Sequence, residues 1–151
     1  MSKRLDAIIK RIKYTRKISE RSKQDCAWIL GISKESYHII EAGKTPITLP
    51  QIELLSIFLG FKLSDLFEEK PPQTPHTIVL KDDIRPHYLA LRDKMIRALL
   101  SIELENQSLT LKDVAQATQI SLQVLQRYDS GEEPVSMDNL LKISDYLGIS
   151  I

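Results

Sequence analysis

The chain has 151 residues, of which 42% are hydrophobic and 27% are charged, a length that suits one ordinary core or two small ones. This composition excludes an intrinsically disordered chain, and no stretch is long and apolar enough to be expected to span a membrane. The net charge of +1 hides an asymmetry, because residues 1–70 carry 13 basic and nine acidic side chains (net +4) whereas residues 71–151 carry eight and eleven (net −3), which indicates a polyanionic partner for the first part only.

The first predicted element is a basic amphipathic helix. Its apolar residues recur at helical spacing among lysines and arginines, at Leu5, Ile8, Ile9 and Ile12. This stripe is wide enough to contribute to a domain core, although a basic amphipathic helix can also lie on a membrane surface. The segment lacks the unbroken apolar stretch of a signal peptide, so we expect no secretion.

Two short helices with a tight turn between them are predicted next. Ser22 and Asp25 have the spacing of a capping box, and Gly31 ends the helix that they begin. Ser33 caps the following helix. A helical wheel places Ser36, Tyr37 and Ile40 on its inner face, and its outer face then carries Lys34, Glu35, His38, Ile39 and Ala42.

A further helix is predicted from a cap at Thr48 to Gly60, and a last short turn from Ser64 to Phe67. The segment 68–87 is rich in proline and is interpreted as a semi-rigid linker, within which residues 77–80 read as a short strand or a docking segment. After Pro86 a long amphipathic helix is expected. Its apolar surface exceeds the need of one small domain and suggests a homodimer seam.

The sequence repeats itself without gaps at an offset of 88 residues. The matched positions include the residues that begin and end helices, such as Ser33 with Ser121, Gly43 with Gly131 and Gly60 with Gly148. We therefore predict a duplicated all-α unit and three segments: a domain at 1–67, the linker at 68–87 and a second domain at 88–151.

Two helices joined by a short glycine-containing turn are typical of a helix-turn-helix. The run from Ser22 through Ala27, Leu30, Gly31 and Ser33, followed by Ile40-Glu41, Gly43-Lys44, Leu59-Gly60 and "LSDLF", resembles the Cro/C1-type (XRE) helix-turn-helix family of transcriptional regulators. The resemblance covers residues 5–67 and, more weakly, 89–150. It implies an all-α protein of two tandem lambda-repressor-like domains, each of about five short helices.

The same resemblance implies that the helix after the turn enters the major groove of double-stranded DNA. It implies that five residues of this helix are candidates for base contact: Lys34, Glu35, Ser36, His38 and Ile39. Phosphate contacts fall to Lys23 and Lys44, although the family usually has glutamine at the position of Lys23. Family members pair an arginine of the first helix with the glutamate that ends the recognition helix, which here predicts an ion pair between Arg16 and Glu41.

The second copy departs from this pattern. At the 88-residue offset Leu104 and Asp129 replace the ion pair, Gln119 replaces Gly31, and Glu132 and Glu133 replace Lys44 and Thr45. We interpret it as a degenerate domain for dimerisation or partner binding. Its equivalent helix still offers three weaker candidates for base contact, namely Gln123, Gln126 and Arg127.

No catalytic arrangement is recognisable. Cys26 is the only cysteine, the histidines at 38, 76 and 87 lack metal-ligand spacing, and no glycine-rich phosphate loop is present. We expect no enzymatic activity, metal or cofactor, and a reducing, cytoplasmic location. We expect Cys26 and Trp28 to be packed in the core.

The predicted function is sequence-specific DNA binding by a homodimeric, repressor-like transcriptional regulator with no membrane association. Two alternatives remain: a protein-interaction adaptor that uses the fold without DNA, and an antitoxin-like regulator that binds both DNA and a toxin. A protein partner, where there is one, is expected to bind through the C-terminal domain. The competing interpretation is that the exposed residues of the helix after the turn form an ordinary solvated surface. This applies especially to Glu35, because an acidic residue at a helix start also stabilises the helix dipole.

Overall fold

The computed structural model of the chain describes residues 3–66 and 84–150, all of whose regular structure is helical. The chain divides into two compact units, Met1–Leu89 and Ala90–Ile151. In the first part the α-helices are α1 (Lys3–Ile18), α2 (Lys23–Leu30), α3 (Lys34–Glu41) and α4 (Leu49–Leu59), followed by a 3-10 helix at Leu63–Leu66. The remaining helices are α5 (Ile84–Asn106), α6 (Leu111–Thr118), α7 (Leu122–Ser130) and α8 (Met137–Leu147). The predicted all-α class is confirmed.

The core of the first unit collects the apolar side of every helix. The predicted stripe of α1 is buried throughout, with exposed fractions of 7% or less at Leu5, Ile8, Ile9 and Ile12. α1 packs against α3, α4 and the 3-10 helix, and α2 packs against α3 and α4. Because this packing already buries the apolar face of α1, the same face is not available to a lipid surface.

The helix ends lie at the predicted caps. The Ser22 side chain accepts from the backbone N–H of Asp25 at 3.0 Å, and the Asp25 carboxylate accepts from the Ser22 N–H at 2.9 Å, which completes a capping box. Thr48 and Gln51 form the same reciprocal pair at the start of α4. Since each cap satisfies backbone groups that the helix leaves unpaired, these local bonds determine where each helix starts.

The helix bounds repeat at the offset of 88 residues. α6 and α8 have the bounds of α2 and α4 shifted by 88 positions, and Thr110 and Asp113 repeat the capping box of Ser22 and Asp25. The second unit has four α-helices among its described residues, one fewer element than the five described for the first part, and α5 alone has 23 residues. The expectation of about five short helices is therefore too high for this unit.

The start of α5 differs from the expected one. The helix begins at Ile84 and includes Pro86, although the sequence predicted a start after that proline. A proline in the first helical turn costs no hydrogen bond, because the N–H groups of that turn have no partner within the helix. The rest of the proposed linker, the candidate strand at 77–80 and Phe67 lie outside the described residues.

Trp28 corrects a second expectation. The side chain is 45% exposed on the outer side of α2, whereas its neighbours Cys26 and Ala27 are fully buried. Helical geometry explains the difference, because Trp28 lies about 180° from the direction midway between Cys26 and Leu30. The size of an apolar side chain was thus a poorer guide than its position on the helix.

The turns that follow α2 and α6 place different residue types in the same strained backbone conformation. Gly31 and Gln119 both adopt a left-handed conformation, with φ of 69° and 62°, and a Cβ added at Gly31 would meet no atom within 4 Å. Because side-chain-bearing residues are disfavoured there, we expect Gln119→Gly to stabilise the second unit by roughly 1 kcal/mol and Gly31→Gln to destabilise the first by a similar amount. Urea unfolding of both variants measures this, and shifts of equal sign would contradict it.

Burial makes the single thiol unreactive. Cys26 is fully buried, and burial raises the pKa of its thiol from about 9 to about 11, with the Tyr37 hydroxyl and the Arg16 charge acting in the opposite direction. We expect thiol reagents at pH 8 to label Cys26 only as fast as the first unit opens, and at once in concentrated urea. Rapid labelling of the native chain would show that α2 is not packed as described.

The same shift gives a pH dependence of stability. The unfolded thiol loses its proton at lower pH than the folded one, so the contribution of Cys26, on the order of 2 kcal/mol, is complete below pH 9 and is lost as the pH rises through about 11. Burial also raises the pKa of Tyr37, which acts in the same direction.

Candidate nucleic-acid interface

The outward face of α3 is formed by side chains of mixed chemistry. Tyr37 and Ile40 are buried and hold the helix against the core of the first unit. The five residues proposed for base contact are all exposed: Lys34, Glu35, Ser36, His38 and Ile39. Ser36 had been placed on the inner face by the helical wheel, but it lies in the first turn, where its hydroxyl accepts from the Ser33 hydroxyl at 2.9 Å and remains at the surface.

Local bonds hold both ends of α3. The Ser33 side chain accepts from the backbone N–H of Ser36 at 3.1 Å. At the other end, Gly43 has a φ of 76°, its N–H donates to the carbonyl of Ile40, and the N–H of Lys44 donates to the carbonyl of Ile39. This pair of bonds is a Schellman motif, which ends the helix and leaves the Lys44 side chain exposed beside its last turn.

A buried ion pair connects α1 to the end of α3. Arg16 Nε donates to Glu41 Oε1 at 3.0 Å, and the two side chains are only 9% and 3% exposed. The same guanidinium donates through Nη1 to the backbone carbonyl of Arg21 at 3.0 Å. Arg16 therefore bonds to α3 and to the residues just before α2, and so restricts the angle between the two helices of the predicted helix-turn-helix.

A second polar contact, which sequence reasoning missed, joins α2 to α3 at the surface. Lys23 Nζ lies 2.8 Å from His38 Nδ1. An ammonium group can only donate, so Nδ1 accepts and the imidazole proton sits on Nε2. His38 thereby presents a ring N–H donor, while Lys23, a proposed phosphate ligand, brings a positive charge next to the outer face of α3. The 15-residue separation of the two side chains left no local signal for this contact.

The second unit carries a different set of charges at its equivalent helix. The three weaker candidates for base contact, Gln123, Gln126 and Arg127, are exposed on α7. Arg127 Nε, however, donates to Glu133 Oε2 at 3.1 Å, in a pair whose side chains are 44% and 45% exposed. Glu132 and Asp129 are also exposed, so acidic residues occur on α7 and just after it.

At the 88-residue offset Leu104 and Asp129 stand in place of Arg16 and Glu41, so this pair is not repeated in the second unit. Leu104 is half-buried against its core, and Asp129 is exposed on α7. The end of α7 contacts both charged and neutral groups, and the Arg97 side chain lies where a Cβ on Gly131 would stand. Asn139 Nδ2 of α8 donates to the Tyr128 hydroxyl at 2.7 Å, so a neutral bond joins α7 to the helix that follows it.

The described helices carry neither a metal cluster nor a membrane span. Within residues 3–66 and 84–150, no three His, Cys, Asp or Glu side chains lie close enough together to hold a metal ion. None of the helices in this part of the chain combines the length and hydrophobicity that crossing a bilayer requires.

Comparison with known proteins gives one similarity, which lies in the second unit. The sequence model of one family, described as a Cro/C1-type HTH DNA-binding domain, matches residues 100–151, which is about a third of the chain. The matched region contains α6, α7 and α8 together with the end of α5. No curated protein and no solved structure matches the chain. The similarity thus falls on the unit whose sequence departs more from the expected pattern of charges.

Proposed function

We propose that this protein is a sequence-specific, repressor-like transcriptional regulator that binds double-stranded DNA, with α3 of the first unit in the major groove. The observation that carries this proposal is the outer face of α3, on which five adjacent exposed side chains present donors, acceptors and an aliphatic group. Lysine can donate to guanine, glutamate can accept from cytosine, and isoleucine can contact a thymine methyl group. Caps and the buried Arg16–Glu41 pair hold this face in one orientation.

Phosphate contacts complete the proposed interface. Lys23 lies at the start of α2 and Lys44 follows the last turn of α3, so the two positive charges are placed before and after the base-reading helix. Contacts of this kind fix the register of a protein on its duplex without reading sequence. The net charge of +4 in residues 1–70 supports the same assignment, because most nonspecific DNA affinity comes from neutralised phosphates.

We further propose that the protein acts in the cytoplasm as a homodimer, without cofactor, metal or enzymatic activity. The second unit would serve dimerisation or bind a partner protein, and two copies of the first unit would read half-sites about one helical turn apart. The acidic groups around α7 and the Arg127–Glu133 pair argue against DNA as its main ligand. A surface ion pair of this kind is weak, however, so Arg127 can exchange Glu133 for a phosphate.

The main alternative is a protein-interaction adaptor or an antitoxin-like protein that uses this fold to bind another protein. It is favoured by the negative charge of residues 71–151 and by exposed apolar side chains on α5, among them Leu91 and Leu99. Apolar docking changes little with salt, whereas the affinity of a protein that neutralises phosphates falls steeply as salt rises.

The test is selection of bound duplexes from a random DNA library by the full-length protein. Recovery of an inverted repeat supports a two-fold dimer that reads two half-sites. An enriched asymmetric site shows that both units of one chain read DNA and corrects the role of the second unit. Failure to enrich any sequence at low salt contradicts the proposal and favours the adaptor.

A further inference from the structure

α5 has apolar side chains on two opposite faces. On the inner face Ile96 is buried, and Leu100 and Leu104 are half-buried against the core of the second unit. The outer face carries four large apolar side chains with exposed fractions of 44–59%, namely Leu91, Met95, Leu99 and Ile102. At 100° per residue these four lie within an arc of about 80° and extend over about three turns. All of them belong to the second unit.

The charges beside this outer face are distributed unevenly along the helix. Lys94 and Glu105 are exposed on one flank of the apolar stripe, and Arg92 and Glu103 lie on the other. Both basic residues therefore precede the middle of the stripe and both acidic residues follow it. On each flank, the N-terminal half of the stripe is therefore bordered by a basic residue and the C-terminal half by an acidic one.

We propose that the occupant of this face is α5 of a second copy of the chain, packed antiparallel about a two-fold axis near Ala98 and Leu99. With the axis there, Met95 of one copy lies opposite Ile102 of the other, and the two Leu99 side chains meet at the centre. The exposed alanine at 98 allows the helices to approach closely. Side chains that are half exposed in the single chain then become the core of the dimer.

The charges select the antiparallel direction. A two-fold axis perpendicular to both helices brings the same flank of each helix together, so Lys94 faces Glu105 of the second copy and Arg92 faces Glu103. A parallel pair would bring opposite flanks together at the same height, with Lys94 beside Arg92 and Glu103 beside Glu105. Four opposite-charge contacts in one arrangement and only like-charge contacts in the other distinguish them, as flanking charges do in coiled coils.

This inference deepens the homodimer of the proposed function by naming its surface and direction. A dimer with this symmetry would carry two first units, one for each half-site of an inverted repeat. The inference is tested without DNA, so its failure and the failure of DNA binding are distinguishable.

The first test is a charge exchange in the full-length chain, with dimerisation measured by sedimentation equilibrium. Lys94→Glu or Glu105→Lys alone creates two like-charge contacts per dimer and is expected to raise the dimer dissociation constant roughly tenfold. The double variant Lys94→Glu with Glu105→Lys restores opposite charges and is expected to return it close to the original value. Failure of the double variant to recover, or a chain that is monomeric at all concentrations, would overturn the proposal.

Removal of the apolar centre provides a larger effect. Leu99→Glu is expected to weaken dimerisation by roughly 100-fold or more, because it buries two facing carboxylates. Leu99 is 59% exposed in the single chain, so far-UV circular dichroism and the unfolding midpoint of the monomer should be unchanged. Dimers of unaltered strength would show that another surface, or the first unit of the same chain, covers this face.

Cysteine crosslinking reads the direction independently. In the antiparallel dimer the two cysteines at position 99, one from each copy, lie beside each other, whereas the two cysteines at position 91 are separated by about 22 Å along the helix axis. Oxidation is therefore expected to produce a covalent dimer of Leu99→Cys and none of Leu91→Cys, with the buried Cys26 as a silent background. Equal crosslinking of both variants would indicate a parallel dimer and overturn the proposed geometry.

Discussion

Replacing Glu41 with alanine is expected to destabilise the first unit by about 3–5 kcal/mol, because it leaves the buried Arg16 guanidinium without its carboxylate. Arg16 is 9% exposed and has little access to water that would replace the lost partner. Its remaining bond, to the carbonyl of Arg21, does not neutralise the charge. This loss is a large fraction of the stability of a small domain, so the first unit should unfold well before the second.

The measurement is urea unfolding followed by tryptophan fluorescence. Trp28 is the only tryptophan of the chain and lies on α2, so its signal reports the first unit alone. The matched control is Glu133→Ala, which removes the carboxylate of an exposed ion pair in the second unit; its unfolding is followed by far-UV circular dichroism, because Trp28 does not report that unit, and it should cost less than about 1 kcal/mol. A loss below 1 kcal/mol for Glu41→Ala would mean that the pair does not brace α3.

The double variant Arg16→Leu with Glu41→Leu separates the cost of an unpaired charge from the value of the pair. Apolar side chains of similar volume often replace a buried ion pair with no net loss, so we expect this variant to recover most of the lost stability. The second unit already has leucine at the position equivalent to Arg16. DNA affinity should not recover in parallel if the pair serves mainly to orient α3.

Reversing one charge on the outer face of α3 should have the largest effect on DNA binding. Lys34→Glu is expected to weaken binding to a selected site by roughly 100-fold, because it removes one donor and places a carboxylate against acceptors and phosphates. Lys34 is exposed in the first turn of α3, so the free energy of unfolding should remain within about 0.5 kcal/mol of the original.

Fluorescence anisotropy of a labelled duplex over a range of salt concentrations measures this effect. Lys142→Glu on α8 makes the same change in net charge at an exposed position outside α3 and α7, and it should leave affinity within a few-fold of the original. If both variants lose affinity equally, long-range charge rather than a contact by α3 is responsible. If neither does, the DNA-reading surface lies elsewhere in the chain.

The helix boundaries could be predicted because their signals are local. A capping box spans four residues and a left-handed glycine needs no knowledge of the rest of the fold, so Ser22, Asp25 and Gly31 were sufficient to define α2. The start of α5 was predicted less well, because a proline in the first turn and a proline in a linker have the same local sequence.

The side-chain contacts of the site were only partly predictable. The Arg16–Glu41 pair was expected from the family resemblance, whereas the bonds of Lys23 to His38 and of Arg127 to Glu133 were not. The partner of a long flexible side chain depends on how the helices pack against each other. That packing depends on residues far apart in the sequence and cannot be predicted from a few neighbouring ones. The contacts of α3 with DNA remain a prediction.

The local character of the helix caps also bears on how the chain is made. Each N-cap bond joins residues three positions apart, whereas the packing of the first unit also joins helices that are not neighbours in the sequence, such as α1 with α3 and α2 with α4. Bonds between residues so close in the sequence close only small loops. The first unit forms its packing within its own residues, so on the ribosome it can be complete while α6 to α8 are still being synthesised. Partner exchange between identical units of neighbouring nascent chains is thereby disfavoured, since one unit of each chain is already closed.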